Sequence, residues 1–198
     1  MFLKNERYLL ILILFTCLFL SKNIHSNSNN INKIIDYLNS LKFFSASFIQ
    51  NDGEDLSEGR VYIGEKRVRA EYFSPTKILI ILDKDKAMYY NYELEEAEFF
   101  DPKNTNAWFF YDLFRNPYFL LNSLVKLKDN EIILEKAGVD NEQINYVIKT
   151  FFENKPLILR KVEILINDNF LQLSIFDHEY NQEFDKSFFK LINPKLLN

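Results

Sequence analysis

Between Phe44 and Tyr72, apolar and polar residues alternate in short runs broken by turn residues. That period belongs to a strand with one face covered and the other wet. Arg67-Val68-Arg69-Ala70-Glu71-Tyr72 is the clearest case. Val68, Ala70 and Tyr72 fall on one face, and Arg67, Arg69 and Glu71 on the other. The pattern predicts strands over 44–50, 59–64, 67–72, 77–82, 87–92 and 95–101. Asn51-Asp52-Gly53 and Asp83-Lys84-Asp85-Lys86 supply hairpin turns, and Pro75 ends the third strand. Strands resume over 131–136, 143–152, 158–166 and 170–177, and Phe188-Phe189-Lys190-Leu191 is predicted as a last short strand. Strands that follow one another through short turns favour an antiparallel meander. A sheet of this many strands must curl or close.

Two segments break the period. Ile31, Ile34, Ile35, Leu38 and Leu41 recur at helical spacing, so 31–42 is predicted as an amphipathic helix with Asn29 or Asn30 as its cap. Between Asn104 and Leu124, the runs Ala107-Trp108-Phe109-Phe110 and Pro117-Tyr118-Phe119-Leu120-Leu121 predict two short helices, the second opened by its proline. Helices apolar on most faces bury one side on a sheet and leave another side needing cover. An internal cavity or a ligand would supply it.

The chain begins with Lys4 and Arg7, followed by the uncharged run from Tyr8 to Leu20, 13 residues long. A spanning helix needs about 20 apolar residues and a signal-peptide core roughly 7–15. Residues 1–26 are therefore expected to be a cleavable signal peptide, and 27–198 a single domain. An uncleaved anchor is disfavoured by the short run. A lipid anchor at Cys17 is disfavoured by Phe15 and Thr16 before it and by the apolar run continuing to Leu20. Cys17 is the only cysteine, so the exported part holds together without disulfides. The leader carries Lys4, Arg7 and Lys22 against Glu6, and the whole chain is −4, which leaves −6 on the rest. No basic stripe with interleaved aromatics exists, and nucleic acid is not an expected partner.

Enzyme chemistry is hard to find. His178 is the one histidine beyond the leader, and no serine or cysteine nucleophile context accompanies it. One histidine and no cysteine do not make a zinc site. The acidic run Glu93, Glu95, Glu96 and Glu98 lacks the loop spacing and glycine of a calcium site. No cofactor is implied. What the chain has instead is aromatic mass, with 20 Phe and 11 Tyr.

In several ordered segments the chain resembles the periplasmic outer-membrane lipoprotein carrier family, LolA. The segments are Phe44-Ser45-Ala46-Ser47-Phe48-Ile49-Gln50, Glu58-Gly59-Arg60-Val61-Tyr62-Ile63, Arg69-Ala70-Glu71-Tyr72-Phe73-Ser74-Pro75, Met88-Tyr89-Tyr90-Asn91, Asn116-Pro117-Tyr118-Phe119-Leu120-Leu121 and the end Phe188 to Pro194. The resemblance implies an unclosed antiparallel β-barrel with short helices as a lid over an apolar cavity. It implies a periplasmic, monomeric, non-enzymatic carrier of triacylated lipoproteins. Such a carrier is loaded by an inner-membrane release complex and unloaded on an outer-membrane acceptor. On this reading Phe48, Val61, Ile63, Val68, Ala70 and Tyr72 form the cavity wall. Phe109, Phe110, Leu113, Phe119 and Leu120 form the lid. One departure stands out: the family commonly has an Arg that bonds barrel to lid, and Gly64 stands in its place. Arg67 or Arg60 is the expected substitute. The alternatives are a carrier of the same fold for another lipid or glycolipid, and a membrane-anchored acceptor.

Overall fold

The computed structural model describes residues 28–139, 143–185 and 187–197. The expected leader, Cys17 included, lies outside the described residues. The first helix, α1, occupies 28–40. It already contains Asn29 and Asn30, so neither asparagine is its cap. Its apolar positions Ile31, Ile34, Ile35 and Leu38 are buried, as the helical spacing predicts.

Eleven strands follow: β1 (Phe44–Asn51), β2 (Leu56–Ile63), β3 (Val68–Ser74), β4 (Ile78–Leu82), β5 (Ala87–Asn91), β6 (Glu96–Phe100), β7 (Leu124–Lys128), β8 (Glu131–Val139), β9 (Asn145–Asn154), β10 (Leu157–Ile166) and β11 (Asn169–Glu179). They form one antiparallel sheet in the order β6-β5-β4-β3-β2-β1-β11-β10-β9-β8-β7. Two meanders, β1–β6 and β7–β11, are thus joined by the β1–β11 pair. The outer strands β6 and β7 do not pair with each other, and the barrel stays unclosed. The segment between them carries a 3-10 turn (Pro102–Asn104), the helix α2 (Ala107–Arg115) and a second 3-10 turn (Pro117–Leu120).

Alternation decides which residues enter the core. In β1, Phe44, Ala46 and Phe48 are buried on the concave side, and across β11 they meet Ile175 and its neighbours. Both helices add to that same core. The α1 side is fixed by Tyr37, whose ring edges onto Phe152 at 6.2 Å. Where β10 bulges between Leu159 and Lys161, two side chains meet the backbone of Leu159, the partner of Phe152 on β9. The Leu159 N–H donates to the Tyr37 hydroxyl at 3.2 Å, and its carbonyl meets His178 Nε2 at 2.8 Å. His178 therefore supplies a partner to a backbone carbonyl at the bulge.

Two expectations fail. Phe188-Phe189-Lys190-Leu191 is not a strand, but a succession of turns. Both sides of β1 are already paired, and the outward residues Leu79, Ile81, Met88 and Tyr90 of β4 and β5 form a second apolar cluster that needs cover. The C-terminal segment crosses that outer face as a strap, with Leu191 packed on the cluster. Gln182 N–H bonds the Phe43 carbonyl, and Arg69 and Arg67 donate to the carbonyls of Phe188 and Phe189 at 2.6 and 2.9 Å. The Arg69 guanidinium also lies 4.2 Å over the Phe188 ring. The second failure is β7, which sequence periodicity did not predict. It is five residues long, borders the gap and carries Lys126 and Lys128, the charged habit of an edge strand.

Candidate functional site

Between α2 and the concave face of the sheet lies an apolar cavity of about 230 Å³. Phe48 and Val61 line it from β1 and β2, and Val68, Ala70 and Tyr72 from β3. Ile80 and Leu82 add the β4 wall. Val162 of β10 and Leu171, Leu173 and Ile175 of β11 close the opposite side. None of the lining residues is charged.

One glycine shapes the wall. A Cβ on Gly59 would lie 2.5 Å from Phe48 Cζ and 2.3 Å from the Glu71 carbonyl oxygen. Gly59 is the cross-strand partner of Phe48, so the missing side chain lets the Phe48 ring lie across β2. There it meets Tyr72 edge-on at 5.0 Å.

The roof comes from α2. Ala107, Phe110, Leu113 and Phe114 line the cavity, a helical spacing that turns one face downward. Phe109 is fully buried but outside the lining, packed on Phe119 at 5.4 Å and Phe110 at 5.5 Å. Leu120 is also buried in the core, and Phe119 is half-buried against Trp108. Of the predicted lid residues, Phe110 and Leu113 face the cavity; Phe109, Phe119 and Leu120 brace the helix. Of the predicted wall residues, Ile63 alone lies off the lining. It is fully buried in the core at the last pair of β2 and β3.

Two polar side chains of the lining are bonded to each other. Tyr72 Oη donates to Gln50 Oε1 at 2.8 Å. Burial pushes the Tyr72 phenol up to about 12, although the residue is not fully covered. Its free surface therefore faces the cavity more than bulk water. Asn106 is exposed, precedes α2 and makes no side-chain capping bond. With Gln50 and Tyr72 it is one of the three polar residues of the lining.

Arg115, the last residue of α2, ties the roof down. Its Nη1 donates to the carbonyls of Gly64 at 2.9 Å and Glu65 at 3.1 Å, and its Nη2 to that of Leu41 at 2.7 Å. Burial pulls its pKa below the ordinary value, Nε is buried without a partner, and no carboxylate pairs with it among the described residues. The expected substitutes do other work. Arg67 pairs with Asp83 at 2.6 Å, and Arg60 pairs with Glu179 at 2.8 Å and bonds Ser45 at 2.8 Å. A side chain at Gly64 would have to push the Phe189 ring of the strap aside, because a Cβ would lie 2.9 Å from it. The bond from barrel to lid thus runs in the opposite direction, from helix side chain to turn backbone.

Sequence reasoning missed Arg115, Gln50 and the β11 wall. Leu171, Leu173 and Ile175 alternate visibly, but nothing local reveals that β11 pairs with β1. Among the described residues, no group of three or more His, Cys, Asp or Glu could hold a metal ion.

Residues 39–192 match the family model described as Outer membrane lipoprotein carrier protein LolA. No curated protein matches the chain. An uncharacterized conserved protein from Thermus thermophilus is similar in structure, with a TM-score of 0.55 and 9% identity over 85% of this chain and 96% of that one. A chain of the MucA/MucB complex of Pseudomonas aeruginosa gives a TM-score of 0.49 at 8% identity, over 84% of this chain and 61% of that one. The first likeness supports the fold alone, and the second is too distant to argue from.

Proposed function

This chain belongs to the LolA family of outer membrane lipoprotein carrier proteins, and from that premise we propose that it is a periplasmic, non-enzymatic, monomeric carrier. After removal of residues 1–26, it takes the acyl chains of triacylated lipoproteins from an inner-membrane release complex. It then passes them to an outer-membrane acceptor. The observation that carries this reading is the uncharged cavity roofed by a helix whose end is fastened by one side chain. Each buried methylene is worth about 0.8 kcal/mol, so acyl chains left in water cost tens of kcal/mol. An apolar site offsets that cost. A carrier without nucleotide chemistry passes cargo only downhill, so the site must also hold less tightly than the acceptor does.

With α2 seated, about 230 Å³ is too little for three acyl chains. It exceeds the roughly 150 Å³ apolar void that takes up benzene and falls below the roughly 300–1,000 Å³ of ordinary ligand pockets. Loading therefore requires α2 to move off the sheet. The same volume favours one second reading, a carrier of a single-chain lipid that fits with less movement.

Purification from the periplasm without detergent, followed by mass spectrometry of co-purifying material, separates the readings. Triacylated lipoprotein supports the first and a free single-chain lipid the second. Ala70→Glu places a charge on the partly open wall and should reduce bound acyl material at least tenfold with the fold kept. Unchanged binding would sink the cavity assignment.

A further inference from the structure

The cavity is not uniformly apolar, and two of the exceptions are bonded to each other. Gln50, Tyr72 and Asn106 are the polar residues of its lining. Gln50 ends the inward-facing set of β1, one position before the strand's last residue. Gln50 is half-buried, and Asn106, at the entry to α2, is exposed. Tyr72 Oη donates to Gln50 Oε1, which fixes the direction of the amide. The amide nitrogen of Gln50 then points its N–H donors elsewhere, and no described residue accepts from it. A primary amide carries two such donors, and an unused donor beside apolar surface is costly unless water or a ligand accepts from it.

The charge balance of the lining restricts what that ligand is. No Lys, Arg or His lines the cavity. A free carboxylate drawn in there would lose water without gaining a cation, which disfavours it strongly. A neutral carbonyl has acceptor lone pairs and no charge to desolvate. It can take the Gln50 N–H at a small cost, with its hydrocarbon chain lying on Phe48, Val61 and Leu173.

We propose that Gln50, oriented by Tyr72, is the specificity-determining donor of this cavity, and that the ligand it reads is an acyl chain ending in a neutral ester or amide carbonyl. This inference rests on the carrier reading above and narrows it: the site discriminates acyl esters and amides from free fatty acids of the same length.

The test is displacement of the neutral fluorophore N-phenyl-1-naphthylamine from the exported protein at pH 8, using methyl laurate and laurate as competitors. Methyl laurate should displace the probe at a concentration at least tenfold lower than laurate. Gln50→Leu should weaken methyl laurate about tenfold relative to the fluorophore, each affinity being measured directly on the variant. Tyr72→Phe, which keeps the cavity shape and frees the amide to turn, should narrow the ester preference several-fold. It serves as the readout if Gln50→Leu does not fold. Equal displacement by laurate and methyl laurate, or an ester preference that survives Gln50→Leu and Tyr72→Phe, overturns the proposal and leaves the carrier reading standing. Failure of the fluorophore and of both competitors to bind the wild-type protein overturns the carrier reading itself.

Discussion

Gly59 shows how a single residue sets the cavity. It has no special dihedral requirement; its role is to be absent where the Phe48 ring lies. Gly59→Val forces that ring away from β2, toward the cavity it now borders, and crowds the Glu71 carbonyl. Overpacking of this kind costs about 1–3 kcal/mol, so chemical denaturation should show that loss together with weaker fluorophore binding. His178 is a second residue whose place the sequence hides. Its position between Asp177 and Glu179 suggests solvent, whereas burial and the bond to the Leu159 carbonyl make it a structural group. Burial holds its pKa below the ordinary value of 6.5. The unfolded chain then takes up a proton that the folded one resists, so its contribution to stability is complete above about pH 6.5. That contribution is lost as pH falls through 6.5 toward the lowered value. Denaturation midpoints of the exported protein between pH 7.5 and 5.5 should fall with acid, and His178→Gln should flatten the decline. An unflattened decline would assign it to carboxylates instead. Neither role was legible from sequence, because each depends on a partner brought by another strand.

At the scale of elements, legibility follows periodicity. Strands with clean alternation, β3 above all, lie close to their predicted bounds, and Val68, Ala70 and Tyr72 share the face that lines the cavity. Where a strand is short and charged, as β7 is, alternation over five residues is too little to separate from a loop. The C-terminal run failed for the opposite reason. It is apolar enough for a strand, but the apolar outer face of β4 and β5 takes it up instead. Helix α2 was legible as an element, yet which of its residues look down depends on its rotation over the sheet. Neither its rotation nor the role of Arg115 is written in the local pattern. A hydrogen bond from a charged donor is worth about 1.5–3 kcal/mol where it is not offset by hydration. Arg115 makes three such bonds and also carries a desolvation cost. Arg115→Met should therefore lower the local opening free energy of α2 by about 1–3 kcal/mol, read as about 5- to 150-fold faster amide exchange over 107–115. Arg60→Met should leave that exchange unchanged. If Arg60→Met speeds it as much as Arg115→Met does, the fastening has been assigned to the wrong residue.

For the whole molecule, the two faces of the sheet are not independent. The concave side holds the cavity and the convex side of β1–β5 holds the strap, and both are anchored on the turn at 64–67. Gly64 gives its carbonyl to Arg115 on one side, and on the other the Phe189 ring occupies the space a side chain would need. Arg67 closes the same turn, accepting the Gly64 N–H through its carbonyl, and donates from its guanidinium to the Phe189 carbonyl. Loosening the strap therefore loosens the acceptor that holds the lid. Truncation after Asp185 removes the carbonyls that Arg67 and Arg69 use and uncovers Leu79, Ile81, Met88 and Tyr90. The lost bonds and apolar cover amount to about 2–5 kcal/mol, which for a domain of this size lowers Tm by about 5–15 °C. The specific expectation lies in α2, which the truncation does not touch. Its amide exchange should quicken several-fold at a temperature where the truncated protein is still folded, and less than in Arg115→Met. Combining truncation with Arg115→Met should then add little in α2, because both changes act through the same turn. Fully additive effects would show that strap and lid are held separately.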